Sequence, residues 1–286
     1  MRNAKSNDRR RQRLVPTVWA RVVATLARRA EVVGIERERL LARAGLSVED
    51  LADPDGRIAI EALYALVEAI VDLSGDPLAL MQLTRELELE SFDVLAFVVM
   101  TSPTLRAGLR AMIRYQRLFA DGERYALEED GTWARIVYTP WGPPRRAHGH
   151  MAEMFAVDII VNAASMTGTP FDRPRVRFAH TLSGDRARER ALLDGVEPER
   201  GGPRTEIWVR RADLDRRIAP EGQAAICAYF TRHLDERVRS LSPTSIAGTI
   251  RDTLMRARLI DPNMASLARK LHMSARTLQR RLNDEG

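Results

Sequence analysis

The chain has 286 residues, with 45 basic and 39 acidic side chains, a net charge of +6 and one cysteine. Its length leaves room for about two domains, and its hydrophobic share of 45% is enough for buried cores. No apolar run approaches the ~18 residues of a membrane helix, no secretory leader pattern opens the chain, and a lone Cys227 excludes an internal disulfide framework and fits a reducing cytoplasm.

The charge is unevenly placed: net +5 over residues 1–13, +4 over 246–286 and −3 between them. That distribution fits a nucleic-acid-binding end attached to a domain with another task. Residues 1–15 are polar, basic and aperiodic, and are expected as a disordered tail. From Thr17 the pattern turns helical, with Val18, Val22, Leu26 and Ala30 four apart and Gly34 as the stop. A short helix follows over 37–44, then a capping-box pattern at Ser47–Asp50, a turn at Asp53–Gly56 and an extended piece at 57–60. Residues 61–73 predict a helix with Leu63, Leu66, Val67, Ile70 and Val71 inward. Further helices are expected at 77–87, 92–100 and 105–119, the last beginning after the stop-and-cap Thr101-Ser102-Pro103-Thr104.

At Gly122 the period changes from 3.6 to 2. Residues 124–129 and 133–139, joined at Asp130-Gly131, read as a β-hairpin. A rigid loop at Pro140–Pro144 leads to an apolar helix over 150–166, then a strand at 175–179, a helix at 186–193, a strand at 206–209 and a helix at 223–240. Residues 241–245 serve as a linker, and 246–259 predict a helix leading into the final segment. The fold class is therefore α+β: a mainly helical domain over 16–240 with a small antiparallel sheet, then an all-α domain over 246–286.

That final segment, ASLARKLHMSARTLQRRL, holds two short helical patterns around a turn. Leu267, Ala268 and Leu271 mark the inner face of the first; Leu278 and Leu282 mark that of the second, with Ser274 as its N-cap. Ala268 is small enough for two steeply crossing helices, and Met273 plugs the corner. This is the pattern of a helix-turn-helix, whose second helix enters the major groove of double-stranded DNA. Arg276, Gln279 and Arg280 suit base edges and Thr277 suits a phosphate, and Ser274 at the helix start completes the expected DNA-binding set. The same spacing also describes a plain helical hairpin with a solvated basic face.

The string SLARKLHMSARTLQRRLNDEG resembles the first helix-turn-helix of the AraC family of transcription regulators, whose usual form is leucine–glycine before the turn, then Ser-x-x-x-Leu-x-Arg and a closing Glu-Gly. The resemblance implies that Arg276, Gln279 and Arg280 face the bases. His272 stands where the family usually has Gly. Family members carry two such motifs, so the expectation here is a DNA-binding domain truncated after its first, with weakened operator binding. Upstream, AGLSVEDLADPDGRIAIEALYALVEAI, SGDPLAL, SPTLRAGLRAMIRY and LDRRIAPEGQAAICAYFTRHL resemble the amino-terminal effector domain of the AraC subfamily labelled the arabinose-binding type, with 184–205 the weakest stretch. The resemblance implies a cytoplasmic transcription regulator, not an enzyme, controlled by a small-molecule effector and able to form a homodimer. The alternative is a small-molecule-binding or dimerisation module that no longer binds DNA specifically.

No nucleophile elbow, phosphate-cradling glycine loop or cysteine pair is present, and neither cofactor nor metal is expected. His148, His150 and Glu153 are a metal-ligand pattern without a fourth ligand, and read as polar packing. Trp133, Tyr138, Trp141, His148, Met151 and Phe155, with Met154 among them, either line an effector pocket or form core between helix and hairpin. The arginine row Arg106, Arg110, Arg114 and Arg117 either holds an anionic effector or is a solvated face.

Overall fold

A computed structural model describes residues 16–85, 94–181, 184–218, 223–240, 250 and 263–283. One compact unit spans Thr17–Val238, and the helix-turn-helix belongs to a second. The basic tail, the 241–245 linker and, except for residue 250, the 246–259 helix lie outside the described residues, as do 86–87 and 92–93 of two expected helices.

The chain enters as a strand rather than a helix. β1 (Thr17–Trp19) pairs antiparallel with β2 (Arg57–Ala59), Val18 opposite Ile58. The pairing is locked by Arg57, whose guanidinium donates to the Thr17 hydroxyl and carbonyl at 2.9 and 2.8 Å and to the Leu118 carbonyl at 2.6 Å, and pairs with Asp121 at 3.0 Å. These partners lie 40 to 64 residues away, so no local pattern shows them, and α1 starts only at Ala20 (Ala20–Arg29). It has no side-chain cap; the Ala20 N–H donates to the Gly56 carbonyl instead.

A 3₁₀ turn, Ala30–Val33, ends α1 at Gly34. α2 (Arg37–Arg43) and α3 (Ile60–Ser74) follow. Between them Ser47 and Asp50 exchange side-chain and backbone hydrogen bonds in the expected capping pattern. Leu63, Leu66, Val67, Ile70 and Val71 of α3 are buried as expected, in a first core with Val23, Leu40 and Leu41. α4 (Ala79–Arg85), α5 (Val94–Met100) and α6 (Leu105–Phe119) continue the helical layer, α6 capped by the Thr104 hydroxyl. Gly108 lets α5 and α6 close up: a Cβ there would stand 3.1 Å from the Val99 Cγ1.

The sheet is antiparallel in the order β3-β4-β6-β5, formed by Arg124–Asp130, Trp133–Thr139, Thr205–Arg210 and Arg175–Arg177. β5 is shorter than expected because Phe178 leaves the ladder and donates its N–H to Glu199. Ala134, Ile136 and Tyr138 alternate inward against α7 (Arg146–Val157), forming a second core with Phe155, Ile207 and Val209. α7 begins four residues before its expected start because Glu68 of α3 caps it, accepting from the Ala147 N–H at 3.0 Å while held bidentately by Arg145. It runs on into a π-helical turn, Asp158–Ala163. α8 (Arg186–Leu192), capped by Asp185, α9 (Arg211–Leu214) and α10 (Ala224–Ser240) complete this unit. The architecture is α+β. The second unit contains α11 (Met264–Lys270) and α12 (Ala275–Asn283).

Candidate functional site

The first candidate is the pair α11 and α12. Asn263 and Ser266 form a reciprocal capping box at the start of α11. Leu267, Ala268 and Leu278 are buried, with Ile250, Leu271, Met273 and Leu282 packed on them. The turn is made by His272 at φ 53°, a left-handed conformation that costs a non-glycine residue about 1 kcal/mol. It lets the Met273 N–H reach the Ala268 carbonyl at 3.0 Å. Ser274 caps α12, accepting from the Thr277 N–H at 3.1 Å, and its hydroxyl lies 2.8 Å from that of Thr277. Arg276 and Arg280 are exposed on the side away from Leu278, and Gln279 is exposed at the flank of that face. Thr277 is half-buried, its hydroxyl engaged with Ser274 rather than extended outward. Arg269, Lys270 and Arg281 are also exposed.

The second candidate is a cavity of about 270 Å³ inside the larger unit. Its walls come from α1, α4, α5, α6, β3 and α7 with its π turn, and are chiefly Leu, Val, Ile, Met and Phe. Among the residues expected to form a pocket, Met151 and Phe155 line it, as does Met154. Trp133, Tyr138, Trp141 and His148 do not. Trp133 lies on the opposite strand face, between the guanidinium groups of Arg210 at 4.0 Å and Arg175 at 5.1 Å. Tyr138 sits one layer behind the wall, its ring against Tyr125 and Phe155. Trp141 packs on the first core and donates its backbone N–H to the Tyr64 hydroxyl at 3.1 Å. The His148 ring meets Tyr64 edge-on at 4.9 Å. Strand alternation turns Trp133 away, while Tyr138, Trp141 and His148 gather around Tyr64 behind the pocket wall.

The polar lining is what sequence reasoning missed. Glu123, only 4% exposed, accepts from the Tyr138 hydroxyl at 2.5 Å and the Tyr64 hydroxyl at 3.4 Å. Burial outweighs both tyrosines and pushes its carboxyl up to about 7. Asp158 opens the π turn and accepts from the Asn162 amide at 3.0 Å; burial raises it too to about 7. Tyr125 lies between these influences, its hydroxyl held protonated by burial and by Glu123 and Asp158. Gln116 is committed to backbone, accepting from the Tyr125 N–H at 2.7 Å. Arg21 and Arg29 of α1 also line the cavity, Arg21 paired with Asp55 at 2.5 Å. An acid inside the apolar run Val157–Val161 was the one local signal available for Asp158.

The histidine pattern resolves into a buried ionic network. His150 Nδ1 is 3.1 Å from Glu153, whose other oxygen is 3.6 Å from Arg200; Arg200 also pairs with Glu189. His180 stacks on Phe178, and burial with Arg200 nearby lowers its imidazole to about 4. His148 points elsewhere, and among the described residues no group of three or more His, Cys, Asp or Glu is arranged to hold a metal. The arginine row is largely ion-paired: Arg106 pairs with Asp215 and Glu129, Arg110 with Glu129 and Arg114 with Asp235, these last two on a solvent-exposed face as expected, while Arg117 is buried. No helix among the described residues is long and apolar enough to cross a membrane.

An α+β domain with a mostly apolar pocket, followed in the same chain by two short helices around a tight turn, is the makeup of a regulator. Residues 34–218 match the family described as the arabinose-binding domain of AraC transcription regulators, N-terminal, and the chain belongs to that family. It is 27% identical over 287 residues to the ornithine utilization regulator of Pseudomonas aeruginosa, covering 96% of this chain and 79% of that one. The crystal structure of the transcriptional regulator CdpR from the same species aligns with 87% of this chain and 78% of its own, at 20% identity and a TM-score of 0.48.

Proposed function

We propose that the chain is a small-molecule-controlled, DNA-binding transcription regulator acting in the cytoplasm, with an effector domain over 16–240, a linker over 241–245 and a DNA-contacting part over 246–286. The observation that carries this reading is the outer face of α12: Arg276 and Arg280 stand exposed opposite a fully buried Leu278, with exposed Gln279 at their flank, while Ser274 holds the helix end. Arginine and glutamine at those positions match guanine and adenine edges, and Arg269, Lys270 and Arg281 supply phosphate contacts. One described motif per chain offers one major-groove contact. A second would come from a second copy of the chain, and binding by a single copy is expected to be weak and steeply salt-dependent. The effector acts by favouring one of two states that differ in DNA affinity.

The test is selection of duplexes from a random library by the full chain at fixed salt. Enrichment of one sequence, lost when Arg276, Gln279 and Arg280 are replaced by Ala together, supports the reading. Retention of random DNA without enrichment would leave a small-molecule-binding module that lacks specific DNA recognition.

A further inference from the structure

Nearly every carboxylate buried or half-buried in the larger unit has an arginine against it: Glu68 has Arg145, Glu128 has Arg204, Glu153 has Arg200, Asp121 has Arg57. With 43 arginines in the chain, such pairing is the default. Glu123 and Asp158 depart from it. Neither has an ion-pair partner among the described residues; their hydrogen bonds come from two tyrosine hydroxyls and one asparagine amide, and both line the cavity. Two carboxyls without a counter-ion, facing a space walled by aliphatic and thioether side chains, are an electrostatic mould for a cation with an apolar body.

Building on the regulator reading above, we propose that the cavity binds a hydrophobic amine, its protonated nitrogen set against Asp158 with Glu123 and Tyr125 beside it, and its apolar part among the methionines and leucines. Asp158 is the nearer partner for two reasons. One Glu123 oxygen receives both tyrosine hydroxyls, whereas Asp158 is bonded by Asn162 alone. Asp158 also stands at the head of the π turn, a wide helical geometry often found where a helix serves a ligand. Met112, Met151, Met154 and Met166 give the wall a lining that adapts to the shape of the apolar part. Among the described residues, the titratable and charged groups lining this site besides Asp158 are Glu123 and Tyr125 from the sheet side and Arg21 and Arg29 from α1.

Both carboxyls are neutral in much of the population near pH 7, so a bound ammonium draws one into its ionised form and releases a proton. Amine affinity therefore rises as pH is raised from 6 to 8, by up to about tenfold per pH unit below the carboxyl's midpoint. An uncharged isostere shows no such rise.

The experiment is titration calorimetry of the full chain with n-octylamine, n-octanol and octanoate, at pH 6, 7 and 8 in two buffers of different ionisation enthalpy. Octylamine binding at least tenfold tighter than either competitor, with proton release and an affinity that climbs with pH, is the expected result. Asp158→Asn, close to isosteric, should weaken octylamine tenfold or more and leave octanol unchanged, with its circular dichroism melt checking that it folds. Tightest binding of octanoate would overturn the proposal and shift the site to the Arg29 end. Equal binding of all three, no binding by any, or an unaffected Asp158→Asn variant would overturn it as well. The DNA selection is read separately: octylamine bound as expected by a chain that enriches no DNA sequence would sink the regulator reading and leave the ligand class standing.

Discussion

The carboxyl of Glu123 makes a sharp prediction about stability. Its side chain is 4% exposed, and burial carries it from the ordinary glutamate value of 4.5 to about 7. The native state therefore holds a proton that the unfolded chain gives up between those two values. The stability owed to the neutral acid is fully present below pH 4.5 and is lost as pH rises through about 7. At 1.36 kcal/mol for each tenfold change in acidity, the loss is about 3 kcal/mol for this one group. Glu123→Gln keeps the shape and the carbonyl oxygen that accepts from Tyr138 and Tyr64 but cannot ionise. The variant should match the parent near pH 4.5 and exceed it by about 3 kcal/mol at pH 8, with most of the gain between pH 5 and 7. Urea unfolding followed by tryptophan fluorescence reads this cleanly, since Trp19, Trp133, Trp141 and Trp208 all lie in the larger unit. Parallel pH profiles for the two proteins would refute the claim that Glu123 is buried as an acid without a counter-ion.

Three further outcomes are expected. Tyr64→Phe strips the Trp141 N–H of its acceptor and Glu123 of one donor; it should cost about 1–3 kcal/mol in the same urea assay, and a change within error would mean that this hydroxyl is replaced by water. His272→Gly relieves the left-handed turn at φ 53° and should slow hydrogen exchange in α11 and α12 by about fivefold, the equivalent of about 1 kcal/mol; unchanged or faster exchange would show that the histidine side chain contributes more than the strain removes. Arg280→Ala should lower affinity for a selected duplex by about 1–3 kcal/mol and relax preference at one base position, whereas an equal loss on selected and random DNA would make Arg280 a phosphate contact.

The parts of this protein written locally were legible without coordinates. The β3–β4 hairpin follows from a change of period around Asp130-Gly131, and α6 from Thr104 followed by Leu105, Leu109 and Met112. The helix-turn-helix follows from Ser274 as a cap and small Ala268 beside buried Leu278, even with His272 where glycine would be easier. In each case the hydrogen bonds and apolar spacing lie within a few residues of one another, so the pattern and its cause share one window of sequence. What lay outside such a window was misplaced. Thr17–Trp19 became a strand because its partner is Arg57–Ala59, and α7 began at Arg146 because its cap is Glu68, 79 residues before the N–H it binds. The cavity is the strongest case. Trp133, Tyr138, Trp141 and His148 cluster in sequence, yet Trp133 lies on the opposite sheet face and the other three gather around Tyr64 outside the pocket lining, while Glu123 and Asp158, 35 residues apart, line one space with α1 and α6. A pocket is defined by which faces of distant elements are turned toward each other. That depends on the packing of the two cores, which the order of residues along the chain does not state.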